Sequence, residues 1–184
     1  MATDETLSLE NRLLGRIRDV HDFPQPGVTF KDITPLLDDA EAFSDLVAEL
    51  ADLAARHKVT KVVGLEARGF ILAAPVALKA GVGFVPVRKA GKLPGPTLAQ
   101  SYELEYGRAE IEVPRDAFAP GSRVLVVDDV LATGGTLEAS IRLIRNAGAE
   151  VAAVGVLMEL GFLGGRNRLH PLLDGAPLEA VVAV

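Results

Sequence analysis

At 184 residues and 49% hydrophobic side chains, the chain is long enough for one domain to bury a core without disulfide or metal staples. Only 5% of residues are aromatic, so Ala, Val, Leu and Ile must fill that core, a usage that suits strands covered on both faces. A formal net charge of −6 argues against a broad nucleic-acid-binding face, and the absence of cysteine excludes disulfides and thiolate metal sites in this chain. The longest uncharged apolar stretch, Gly69 to Leu78, contains Pro75 and falls far short of the roughly 20 residues a membrane span needs. The start, Met1-Ala2-Thr3-Asp4-Glu5, lacks the basic and apolar regions of a secretion signal, so the expected location is cytoplasmic.

In chain order, Leu9, Leu13, Ile17 and Val20 fall at helical spacing and predict an N-terminal amphipathic helix. His21–Leu37 holds three prolines and little periodicity, and reads as a loop laid over the domain. Phe43, Leu46, Val47, Leu50, Leu53 and Ala54 mark a second, stronger helix. Elements then alternate: strand Lys61–Leu65, helix Arg68–Lys79, strand Gly83–Val87. Ala90–Val113 opens on Gly91-Lys92-Leu93-Pro94-Gly95-Pro96 and reads as a mobile loop running into a β-ribbon that turns near Tyr106-Gly107. Long irregular segments of this kind are usually lids or binding loops. Arg123–Asp128 is the next strand, followed by helix Leu137–Ala147 stopped at Gly148, strand Val151–Met158 and a short last strand over Leu178–Val184. Strands separated by helices predict parallel crossovers and an open, mostly parallel α/β sheet flanked by helices. No repeat, linker or low-complexity tract interrupts the chain, which predicts a single domain over residues 1–184. The tail from Arg166 onward carries little functional information.

The richest stretch is Val124-Leu125-Val126-Val127-Asp128-Asp129-Val130-Leu131-Ala132-Thr133-Gly134-Gly135-Thr136. Four apolar residues predict a central strand with two carboxylates at its C-terminal end, where ligands bind in open parallel sheets. The turn that follows leads straight into a helix, so backbone N–H groups, two threonine hydroxyls and the helix N-terminus can converge on an anion. Gly134 and Gly135 let the backbone approach a phosphate closely. Acceptors for sugar hydroxyls thus stand beside donors for a phosphate, an arrangement suited to a ribose 5-phosphate. Apolar strands ending in two acids also occur in receiver domains and in the Mg²⁺-binding strand of P-loop ATPases. A Walker motif is absent, because Pro86 stands five positions before Gly91 and Leu93 follows Lys92.

Val126 to Thr136 resembles the motif of the type I phosphoribosyltransferases, with Val130 where that family usually has Leu. Asp22–Thr34 resembles the purine-covering segment of the adenine-using members, Gly64–Phe70 their pyrophosphate loop, and Val87–Pro96 with Tyr102–Gly107 their flexible loop. In order and spacing the resemblance covers roughly residues 10 to 165.

The resemblance implies the type I phosphoribosyltransferase fold with a β-ribbon lid and an N-terminal hood. It implies Mg²⁺-dependent transfer of a phosphoribosyl group from phosphoribosyl pyrophosphate (PRPP) to N9 of adenine, giving AMP and pyrophosphate. By the same resemblance Asp128 and Asp129 hold the ribose hydroxyls and stabilise charge growing on the sugar. Ala132, Thr133, Gly134, Gly135 and Thr136 cradle the 5-phosphate. Glu66, Ala67, Arg68, Arg88, Lys89 and Lys92 serve the pyrophosphate, with a cis peptide at Glu66–Ala67. Thr29, Phe30 and Lys31 meet the adenine, Phe30 by stacking and its neighbours by main chain. Glu105 handles the purine N7 proton or orients the base. Many relatives carry Arg where Lys31 stands. Mg²⁺ is expected mainly on substrate oxygens, with no direct protein ligand, and a homodimer is implied.

Two alternatives share the motif: an enzyme of the same fold using another purine, and a non-catalytic regulator that senses PRPP. The purine segment and Leu104-Glu105-Tyr106-Gly107 weigh against the first. The absence of a basic face weighs against the second. His21, His57 and His170 have no metal-ligand spacing and are assigned surface or structural roles.

Overall fold

The computed structural model describes residues 8–103 and 107–184. The chain divides into two compact units, 1–48 and 49–184, with the division falling inside a long helix.

In the first unit, helix α1 (Leu9–Leu14) is capped by the Ser8 side chain, which accepts from the Asn11 N–H. It stops at Gly15 and does not run on to Val20 as the spacing of Ile17 and Val20 predicts. Those residues belong instead to a tight turn and to strand β1 (Arg18–His21), which pairs antiparallel with β2 (Thr29–Asp32). The segment read as a loop therefore contains a strand, and then the short helix α2 (Thr34–Asp38) with a proline in its first turn. Cross-strand pairing outweighed local helical spacing here, a competition that a short window of sequence does not contain. Phe23 and Phe30 meet edge to face in this hairpin with ring centroids 5.2 Å apart, beside a cis Phe23–Pro24 bond.

Helix α3 (Ala40–Arg56) leads into the second unit. There the order is β3 (Lys61–Leu65), α4 (Arg68–Ala80), β4 (Gly83–Lys89), β5 (Thr97–Glu103), β6 (Arg108–Pro114), β7 (Arg123–Leu131), α5 (Gly135–Asn146), β8 (Glu150–Glu159), α6 (Gly165–Leu169) and β9 (Leu178–Ala183). The seven strands lie in the order β5-β6-β4-β3-β7-β8-β9. β4, β3, β7, β8 and β9 are mutually parallel, and β5 and β6 form the antiparallel ribbon at one edge. The expected α/β sheet is present, and its strands read as apolar runs because both faces are covered. Val62, Val63, Val124, Leu125, Val126, Val127, Val154 and Val156 have no solvent exposure.

The ribbon pairs Thr97 with Pro114 and continues to Glu103 with Arg108. The expected turn at Tyr106-Gly107 lies partly outside the described residues, and Glu105 lies wholly outside them. No helix among the described residues is long and apolar enough to cross a membrane.

The strand order places the site. From β3 the chain steps outward to β4, then returns to the other side of β3 to form β7. The direction of winding reverses between β3 and β7, and a crevice opens at such a switch point beyond the C-terminal ends of the strands.

Candidate active site

Two strand-to-helix turns meet in that crevice. After β3 come Glu66, Ala67 and Arg68 at the start of α4, and after β7 come Asp128 to Thr136 leading into α5. A cavity of about 300 Å³ is lined by Glu66, Ala67, Arg68, Asp128, Asp129, Val130, Ala132, Thr133, Gly134, Gly135, Thr136 and Leu137. The structure thus brings together the residues expected for the ribose, the 5-phosphate and part of the pyrophosphate.

Gly134 precedes α5 with φ of 81°, a left-handed conformation that glycine adopts without penalty. Among the described residues no side chain caps this helix. Its first N–H groups therefore face the cavity together with the positive end of the helix dipole. The loop is close to the start of α6, since a Cβ on Gly165 would lie 2.2 Å from the Ala132 carbonyl oxygen. This contact was not legible in the sequence, because no spacing links residues thirty positions apart. The same holds for the Glu138–Arg168 ion pair beside the loop, at 2.5 Å.

The two acids differ. Asp129 is 5% exposed, and its Oδ2 accepts from Arg68 Nε at 2.8 Å. Asp128 keeps some surface open to the cavity and is otherwise enclosed by protein. Desolvation pushes its carboxyl well above the usual range, and the charge of Asp129 adds to the rise. The Asp129 N–H, donating to Asp128 Oδ1 at 2.9 Å, and the positive charge of Arg68 pull the other way. Gly69 makes room for this acid: a Cβ there would lie 2.8 Å from Asp128 Oδ1.

The Glu66–Ala67 peptide is cis, as the resemblance implies. Glu66 accepts from Arg88 Nε and Nη2, both at 3.3 Å, and from the Lys89 N–H at 3.0 Å. The Lys89 backbone bond, followed by the Arg88 guanidinium, holds the Glu66 carboxyl below its ordinary range. Arg88, Lys89 and Lys92 do not line the cavity. They are joined to it through Glu66, and Arg88 Nη1 also donates to the Lys92 carbonyl at 2.9 Å. Glu112, 6% exposed on β6, accepts the N–H groups of Lys92 and Leu93 at 3.1 and 3.0 Å and the Thr97 hydroxyl at 3.2 Å. Sequence reasoning passed over this residue, although an acid between Ile111 and Val113 in a strand was a usable signal.

Thr29, Phe30 and Lys31 lie on β2 in the other unit. The Lys31 ammonium is 2.7 Å from Asp19 Oδ1, so this side chain is occupied within its own hairpin. Among the described residues, no group of three or more His, Asp or Glu side chains is placed to hold a metal ion.

Residues 36–169 match the model of the phosphoribosyl transferase domain family. The chain is 68% identical over 180 residues to a protein of Streptomyces avermitilis named adenine phosphoribosyltransferase, covering 98% of this chain and 99% of that protein. It is similar to the crystal structure of adenine phosphoribosyltransferase from Rhodothermus marinus, with 49% identity, a TM-score of 0.88 and coverage of 96% and 98%. It also resembles the Saccharomyces cerevisiae adenine phosphoribosyltransferase, solved with an imino-altritol bisphosphate and adenine, at 37% identity, a TM-score of 0.86 and coverage of 95% and 98%.

Proposed function

The chain belongs to the adenine phosphoribosyltransferases, transferases of the phosphoribosyl transferase domain family, and from that premise we propose how its own residues carry the reaction. The observation that carries the reading is the single cavity in which Asp128, Asp129 and Arg68 face the Ala132–Thr136 loop.

PRPP would enter with its 5-phosphate on the loop N–H groups and the Thr133 and Thr136 hydroxyls. Arg68 would pass from Asp129 to the diphosphate, where a guanidinium can bind two oxygens at once, with Lys89 and Lys92 adding charge. Asp129, released from Arg68, would accept from a ribose hydroxyl. Its negative charge beside the sugar would stabilise the cationic character that grows at C1′ as pyrophosphate departs and adenine N9 bonds with inversion. Thr29, Phe30 and Lys31 would recognise the base, Phe30 by its ring and Lys31 by its main chain, in keeping with the engagement of the Lys31 side chain by Asp19. Glu105 would orient the purine or take its N7 proton. Closure of the ribbon segment 90–113 would exclude water that otherwise hydrolyses the activated sugar.

The cavity offers only hard oxygen donors, which suit Mg²⁺. Held mainly by substrate oxygens beside Asp128 and Asp129, the ion would neutralise charge on the leaving diphosphate. Residues 1–184 would act as one catalytic domain, in the cytoplasm, and as a homodimer. Ile71 and Leu78, 45% and 84% exposed on α4 and seven residues apart, support a second copy as partner.

The test is product formation from PRPP and Mg²⁺ with adenine, hypoxanthine, guanine and orotate supplied separately. AMP from adenine, with the other bases left unchanged, is expected. Comparable turnover of hypoxanthine or guanine overturns the base assignment.

A further inference from the structure

The Ala132–Thr136 loop carries no cationic side chain. Its cavity is lined by the carboxyl groups of Glu66, Asp128 and Asp129 and by one guanidinium, that of Arg68, which the Asp129 contact already engages. Backbone dipoles supply only about half a charge at a helix N-terminus, less than an incoming phosphate dianion carries.

A second guanidinium, itself paired with Glu138 through Nε, stands just outside the loop. Arg168 on α6 has Nη1, Cζ and Nη2 at 3.6, 3.9 and 4.0 Å from the point where a Cβ on Gly135 would sit. Gly135 is the first residue of α5, so the guanidinium flanks the helix end whose N–H groups face the cavity. Its orientation is set from two sides. The Nε edge donates to Glu138 Oε2 at 2.5 Å, and Glu138 is itself fixed by Arg142 Nε and Nη2 at 3.2 and 3.0 Å. The backbone of α6 is set against the loop at Gly165, where a Cβ would meet the Ala132 oxygen at 2.2 Å and the Gly134 nitrogen at 3.1 Å. With Nε on Glu138, Nη1 is the guanidinium atom nearest the Gly135 position. An arginine serving only as a surface partner of Glu138 has no need of that placement.

We propose that Arg168, aligned by Glu138 and by the backbone contact at Gly165, is the cation of the sugar 5-phosphate subsite. The inference rests on the reading of Ala132–Thr136 as the phosphate loop, and it adds a residue from the tail to that site. Arg168 would raise affinity for the 5-phosphate end of any phosphoribosyl ligand without touching the pyrophosphate end, which belongs to Arg68 and its neighbours.

The experiment measures binding of ribose 5-phosphate and of pyrophosphate separately, by calorimetry, to the whole chain and to its Arg168→Gln, Arg168→Lys and Glu138→Gln variants. The Arg168 side chain is 44% exposed, so these substitutions disturb little packing. Arg168→Gln should weaken ribose 5-phosphate about tenfold, the scale of one charge-assisted contact, while pyrophosphate stays within about twofold. Arg168→Lys should recover part of the loss because it keeps the charge. Glu138→Gln should lose less than Arg168→Gln, since the guanidinium remains but is no longer aligned. Unchanged ribose 5-phosphate binding in Arg168→Gln, or an equal loss for both ligands, overturns the proposal. A parent chain that binds pyrophosphate and not ribose 5-phosphate overturns the phosphate-loop reading itself.

Discussion

Asp128 and Asp129 are adjacent on β7, so their side chains leave opposite faces of the strand and meet different surroundings. Asp129 finds the Arg68 guanidinium. Asp128 finds the backbone of Gly69, and burial raises its carboxyl well above the ordinary carboxylate range. A buried acid with a raised value binds a proton more readily folded than unfolded. Its contribution to stability is therefore present at low pH and is lost as pH climbs from about 3.8 through the raised value. Asparagine mimics the protonated acid without that loss. Asp128→Asn should therefore raise Tm at pH 8 by about 2–4 °C, with the gain fading as pH falls toward 4, while kcat drops at least about tenfold. Thermal scans across pH check the first part and steady-state rates the second. A pH-independent difference in Tm would show that burial of Asp128 does not hold its proton. The identity of both acids was plain in Val126-Val127-Asp128-Asp129, but their division of labour was not, because it depends on which helix residue packs against each face.

At the scale of elements, one carboxylate gathers the donors of the loop Ala90–Pro96 and its neighbour Thr97. Glu112 gathers donors from Lys92, Leu93 and Thr97, and the Leu93 backbone bond, ahead of the Thr97 hydroxyl, keeps its carboxyl below the ordinary range. A depressed acid stabilises the folded state above its unfolded value, and that support disappears as pH falls through the depressed one. Glu112→Gln removes the charge that strengthens these bonds. The variant should be cut faster by trypsin after Lys92 and show KM for PRPP raised about three- to tenfold, with a smaller change in kcat. Equal cleavage rates in the two proteins would show that Glu112 does not hold the loop. Apart from the short helix α6, the helices and strands from Lys61 onward were legible to within a few residues, because buried parallel strands are short apolar runs and their helices have strong 3.6-residue periodicity. The N-terminal part was not. Ile17 and Val20 fit a helix, yet β1 pairs with β2, and the Arg18–Asp32 to His21–Thr29 register joins residues that local spacing cannot connect.

For the whole molecule, the decisive feature is the reversal of winding between β3 and β7, which points two helix N-termini, those of α4 and α5, at one crevice. The exposed apolar residues Ile71 and Leu78 lie farther along α4. If a second copy covers them, Leu78→Glu should shift the chain from dimer to monomer in sizing with light scattering. A parent chain that is already monomeric removes the dimer proposal.

The residues alone were enough for the α/β class, the Asp128–Thr136 turn and the family resemblance, because a buried strand, paired acids and a glycine-threonine turn are contiguous and each has its own local chemistry. What only the tertiary structure decided was which distant groups complete them. Arg68 meets Asp129, Glu66 gathers Arg88 and the Lys89 backbone, Glu112 accepts from the Lys92 loop, and Gly165 with Arg168 lies beside the Ala132–Thr136 loop. Each of these contacts joins segments far apart in sequence. Strand order and helix packing bring them together, and hydrophobic periodicity specifies which face is buried without specifying what is buried against it.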